Sequence, residues 1–95
     1  MNYSQEEIKL MDKLFVSKFE NEKGMSNVFY AEKFNVSVEV IEHFEKQICK
    51  FPYDFEDTVI YEEFESGKCF IVRFDNYLSK RFIENGGFEA YFQNN

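Results

Sequence analysis

The stretch Ala31-Glu32-Lys33-Phe34-Asn35-Val36-Ser37, followed by Val40-Ile41 and Ile48, decides the reading of this chain. Ala31 is small enough to let two helices approach closely. Asn35 tolerates the left-handed backbone of a tight turn. Val36 plugs the corner, and Ser37 offers a hydroxyl to the free N–H groups of a new helix. Two helices joined by a tight turn follow. The first is capped by Ser26 and runs to about Phe34. In the second, Val38, Ile41, Phe44 and Ile48 make the apolar line, with Val40 and Phe51 beside it. Pro52 blocks continuation beyond Phe51.

Toward the N-terminus, Ser4 and Glu7 form a capping-box pair, each side chain satisfying a backbone N–H of the first turn. Ile8, Met11, Phe15 and Phe19 recur every three or four residues, and Leu10 and Leu14 widen the stripe. This predicts an amphipathic helix with a broad buried face, ending near Lys23 because Gly24 can take the left-handed helix-end conformation.

Toward the C-terminus the period changes. Residues 58–64 and 69–74 are rich in β-branched and aromatic side chains. A two-residue Ser66-Gly67 turn would set Phe64 opposite Cys69, Glu63 opposite Phe70, Tyr61 opposite Val72 and Val59 opposite Phe74. One face then carries Val59, Tyr61, Phe70, Val72 and Phe74. The other carries Ile60, Glu62, Phe64, Cys69, Ile71 and Arg73, more apolar than a wet face should be, so another segment or a partner is expected to cover it. Asp75 or Asn76 caps a last helix with Leu78, Phe82 and Ile83 as its buried line, and Asn85-Gly86-Gly87 ends it. Phe88, Tyr91 and Phe92 are expected to plug the tail onto the body.

The run from residue 31 to residue 37, with a helix before it and a hairpin after it, resembles the helix-turn-helix of winged-helix proteins over about residues 5–85. The resemblance implies an α+β, winged-helix-like fold: three helices, a β-hairpin wing and a C-terminal helix, in a single domain over residues 1–95. Two departures stand out. Glu45 occupies a position that is usually apolar in the family, with Phe44 taking over its packing. The loop over residues 50–57 is also long. A second, ten-residue segment, Asn85-Gly86-Gly87-Phe88-Glu89-Ala90-Tyr91-Phe92-Gln93-Asn94, is similar to one in a family of acidic DNA-mimic proteins, which implies that carboxylates here imitate phosphates.

Ninety-five residues suit one domain. Thirteen Phe and six Tyr give it an aromatic core, and four Gly and one Pro leave little for linkers. No stretch approaches the roughly 20 apolar residues of a membrane span. The acidic, polar start is wrong for a signal peptide, so a cytoplasmic protein is expected. Cys49 and Cys69 read as reduced thiols, buried or half-buried.

The net charge of −7 is unevenly spread. Residues 32–65 hold ten acids and three bases, whereas residues 66–95 hold three acids and four bases. A field of that sign repels phosphates and anionic lipid. In DNA-binding relatives the second helix of the motif enters the major groove. Here its outward positions are Val38, Glu39, Glu42, His43 and Lys46, a poor set for phosphates. Small basic contributions come from Lys68, Arg73, Lys80 and Arg81. Direct DNA binding by a small transcriptional regulator therefore ranks below binding to a protein with a basic surface. The expected partner-binding residues are Glu39, Glu42, His43, Lys46, Asp54, Glu56, Asp57, Glu62 and Glu63, with Ile60, Phe64 and Ile71 as a hydrophobic contact or dimer seam.

No catalytic constellation assembles, and the expectation is a protein that is not an enzyme and has no cofactor. His43 and Cys49 lie six residues apart on one helix, on different sides. The acids near Asp54 lack the ligand ladder and central Gly of a calcium loop, and one His with two Cys does not make a zinc site.

Overall fold

The computed structural model describes residues 3–20, 26–50, 58–64, 67–73 and 77–94, with 58–64, 67–73 and 94 as backbone only. These form helices α1 (Gln5–Glu20), α2 (Asn27–Phe34) and α3 (Val38–Cys49), strands β1 (Thr58–Phe64) and β2 (Gly67–Arg73), and helices α4 (Tyr77–Glu84) and α5 (Gly87–Asn94).

The helix ends follow the cap chemistry of the sequence. The Ser4 N–H donates to Glu7 Oε1 at 3.0 Å and the Glu7 N–H donates to Ser4 Oγ at 3.1 Å, closing the capping box of α1. Ser26 and Ser37 cap α2 and α3 by accepting from the N–H groups of Phe29 and Val40. Between α2 and α3, Asn35 takes the left-handed conformation at φ 56° and ψ 49°, and the Val36 N–H donates to the Ala31 carbonyl at 3.0 Å. Ala31 is buried where the two helices meet. The chain from α2 to α3 is thus two helices joined by a tight turn at Asn35, the local arrangement expected from residues 31–37.

Helix α1 is the hub, packing against α3, α4 and α5, while α2 packs on α3. Its stripe is buried as the spacing requires: Met11, Leu14 and Phe15 are fully enclosed and Ile8 nearly so. Ile41, Phe44 and Ile48 meet them from α3, and Tyr30 from α2. The C-terminal end is closed by three rings from three helices. Phe15, Phe82 and Phe88 pair edge-on with centroids 4.8–5.8 Å apart.

This arrangement corrects the α+β, winged-helix-like expectation. Every side chain of the described core comes from a helix. The chain after the strands makes two helices rather than one. Those two helices bring Phe82 and Phe88 onto the flank of Phe15, so the C-terminal helices complete the described core. The architecture is a helical assembly, and "winged helix" does not describe it.

Three local readings are also corrected. Strands β1 and β2 pair antiparallel, but in a register two residues from the expected one, with Phe64 opposite Gly67, Glu62 opposite Cys69, Tyr61 opposite Phe70 and Val59 opposite Val72. Gly67 is a ladder residue opposite Phe64, and Ser66 lies outside the described residues. A two-residue offset leaves the period-two pattern unchanged, so alternation alone cannot distinguish the two registers. In α4, Leu78 is 47% exposed whereas Ser79 is fully buried, so the inward line is Ser79, Phe82 and Ile83. Finally, Gly86 and Gly87 both have positive φ; they end α4 and open α5 in one step. The expected plug is helix α5, with Phe88 fully buried and Phe92 packed against the core. The expected caps Asp75 and Asn76 lie outside the described residues.

Candidate functional site

Helix α3 starts at the Ser37 cap, and that start fixes which way its charged residues face. Glu39, Glu42, His43 and Lys46 recur at helical spacing, and all four are exposed. The first turn of α1 lies beside this helix. Between them is an open cleft of about 610 Å³, lined by Ser4, Glu6, Glu7, Leu10, Val36, Glu39, Val40, His43 and Phe44. Leu10, Val36, Val40 and Phe44 belong to the hydrophobic core or pack against it, so they form an apolar floor. Glu6, Glu7 and Glu39 stand around that floor as a carboxylate rim.

Each of these acids sits in the first turn of its helix, where the positive end of the helix dipole favours negative charge. The Glu7 carboxyl is held below the usual glutamate range by the Ser4 backbone N–H first, by the Ser4 side chain next, and also by His43. The Ser4 contacts thus favour the charged form of Glu7. Tyr3 joins the start of the chain to α3 and α5: its hydroxyl donates to Gln47 Oε1 at 2.8 Å, and its ring meets Phe92 edge-on at 5.4 Å. Burial, and then the charge of Glu7, push its phenol upward.

The structure brings Glu39 and His43 together in the cleft and leaves Glu42 and Lys46 on the exposed surface of α3. Ile60, Glu62, Glu63, Phe64 and Ile71 fall within the β1–β2 ladder, where only their register is described. Asp54, Glu56 and Asp57 lie outside the described residues. Sequence reasoning missed the contribution of α1 to this site. Glu7 was legible only as a cap, Val36 as a corner plug and Phe44 as core; nothing local says that residues 4–10 lie beside residues 36–44.

Glu45 does not join the acidic face. It is buried, with Oε2 2.7 Å from Nζ of Lys18, which is itself 1% exposed and lies 4.8 Å above the Tyr30 ring. The approach is that of two ions in contact rather than a directed hydrogen bond. Phe44 is buried as expected, but beside Glu45 and not in place of it. Cys49 is exposed, which corrects the expectation of a buried or half-buried thiol; it stands at the last residue of α3, where the apolar line has already turned away. On α4, Arg81 donates to the Tyr77 hydroxyl at 3.0 Å and stacks on that ring, so part of the small basic spot is engaged locally.

Among the described residues no three His, Cys, Asp or Glu side chains are arranged to hold a metal ion, and no helix is long and apolar enough to cross a membrane. What the cleft can do chemically is bind: a greasy floor with a negative rim suits a ligand that is both apolar and cationic. Comparison with protein-family models, characterised proteins and solved structures finds no match to this chain.

Proposed function

We propose that this chain is a non-enzymatic interaction module of the cytoplasm whose acidic face engages a basic surface on a protein partner. The observation that supports it best is the rim of Glu6, Glu7 and Glu39, continued by Glu42 on α3, around an apolar floor. Lys46 is the one cation on the outward face of α3, which therefore disfavours phosphate contact. Imitation of DNA is the sharper form of the reading: the partner would then be a DNA-binding protein held off its site by carboxylates.

The test is affinity capture from the native host with the wild-type chain and with the Glu39→Lys, Glu42→Lys, Glu62→Lys, Glu63→Lys variant. A basic protein retained by the first and lost by the second is expected. Equal capture overturns the reading, as does retardation of random duplex DNA by the wild-type chain at low salt. Displacement of the captured protein by duplex DNA selects the mimicry form. Light scattering after size exclusion tests for the dimer seam expected at Ile60, Phe64 and Ile71.

A further inference from the structure

We propose that the cleft between the first turn of α1 and α3 is a docking groove for a basic, amphipathic helical segment of a protein partner. The inference rests on the reading above and narrows it from an acidic face to one place and one kind of ligand. Charge selects the occupant. Glu6, Glu7 and Glu39 line the opening, and the Glu7 carboxyl is held anionic by Ser4. An anionic peptide, a phosphate or an acidic lipid would meet that rim with like charge.

The floor selects further. Leu10, Val36 and Val40 are only partly covered by the rest of the protein, so a purely polar basic segment would leave apolar surface wet. The volume of about 610 Å³ accepts a few side chains rather than a whole domain. A helix presents apolar side chains at every third or fourth position with its charges flanking them, which is the pattern of a floor with a rim. Arg on that helix gains most, because its planar fork matches a carboxylate with two parallel hydrogen bonds.

The probe is a synthetic Leu/Arg peptide with its Leu residues at helical spacing, set against a scrambled peptide of the same composition and against polylysine. Wild-type protein is expected to bind the amphipathic peptide at least about tenfold tighter than the scrambled one. Methyl signals of Leu10, Val36 and Val40 are expected to shift on titration. Glu6→Lys with Glu39→Lys, both at exposed positions, should weaken binding at least about tenfold, whereas Glu62→Lys with Glu63→Lys should change it less than about threefold. Circular dichroism melts confirm that each variant folds. Equal binding of the scrambled peptide, unshifted floor methyls, or equal loss in the two charge-reversed variants overturns the groove and leaves the acidic-face reading standing. Failure to bind any of the three basic probes, polylysine included, overturns both.

Discussion

Nζ of Lys18 on α1 and Oε2 of Glu45 on α3 lie 2.7 Å apart inside the protein. Removing one ion of a buried pair leaves the other charge buried without its counter-ion. Glu45→Ala is therefore expected to cost about 3–5 kcal/mol. Replacing both by apolar groups of similar size, Lys18→Met with Glu45→Leu, should be neutral or stabilising, because neither desolvation penalty remains. Urea titration of Glu45→Ala and of the double variant checks this; a double variant as unstable as Glu45→Ala counts against it.

Asp12 on α1 accepts from the N–H of Phe88 at 2.7 Å and of Glu89 at 3.1 Å, so one helix caps another. Gly87 has φ +66°, and a Cβ there would run into the Asp12 carboxylate. Asp12→Ala should cost about 1–2 kcal/mol, as the loss of a cap does. Gly87→Ala should cost at least about 1–2 kcal/mol from the left-handed backbone alone. The two act on one joint, so the double variant is expected to lose less than the sum of the singles. Thermal melts of the four proteins measure the difference.

Two carboxyls should titrate on opposite sides of their ordinary values. Burial raises the Asp12 carboxyl, against the lowering effect of the Phe88 and Glu89 N–H groups; the Ser4 capping box lowers that of Glu7. The signs follow from linkage. The folded state holds the Asp12 proton more tightly than the unfolded state does, so stability from this group rises as pH falls from its folded midpoint to the ordinary aspartate midpoint. Glu7 works the other way: its contribution is full above the ordinary glutamate midpoint and is lost as pH falls through its lowered one. Carboxyl carbon NMR titration reads both midpoints, and Ser4→Ala should return Glu7 toward its ordinary value.

The rotation of α4 gives a paired test. Leu78 is largely exposed and Ser79 is fully buried. Leu78→Lys is expected to change stability by no more than about 0.5 kcal/mol, as surface substitutions do. Ser79→Leu should cost about 1–3 kcal/mol by overpacking. Chemical denaturation of the two variants checks the order.

The first half of the chain was legible because each helix announces itself locally. Ser4 with Glu7, Ser26, Asn35 and Ser37 are caps and a turn that act within a few residues, and the stripe from Ile8 to Phe15 lies on one turn-by-turn face. The C-terminal part was less legible. Gly86-Gly87 reads as a stop, and its second role appears only when Asp12 arrives from far along the chain. Leu78 beside Ser79 misleads because hydropathy favours Leu as the inward residue, whereas the packing of Phe82 and Ile83 sets the helix rotation. Glu45 stood out as an acid in an apolar place, but its partner lies in another helix. The cleft was illegible for the same reason: Glu6 and Leu10 meet Val36 and Glu39 only after the helices dock.

The bond between Asp12 and Phe88 links positions 76 residues apart. Closing a flexible loop of that length carries an entropic cost of about 4 kcal/mol by the logarithmic loop law. Local helices form without that cost, so this joint is expected to close late on the way to the native state, and Asp12→Ala is expected to speed unfolding while leaving the folding rate nearly unchanged in stopped-flow measurements. A contact absent from the rate-limiting barrier leaves the folding rate almost untouched and governs how fast the native state comes apart. On that expectation the pairing of Asp12 with α5 is a latch on the lifetime of the folded protein, holding Phe88 against Phe15.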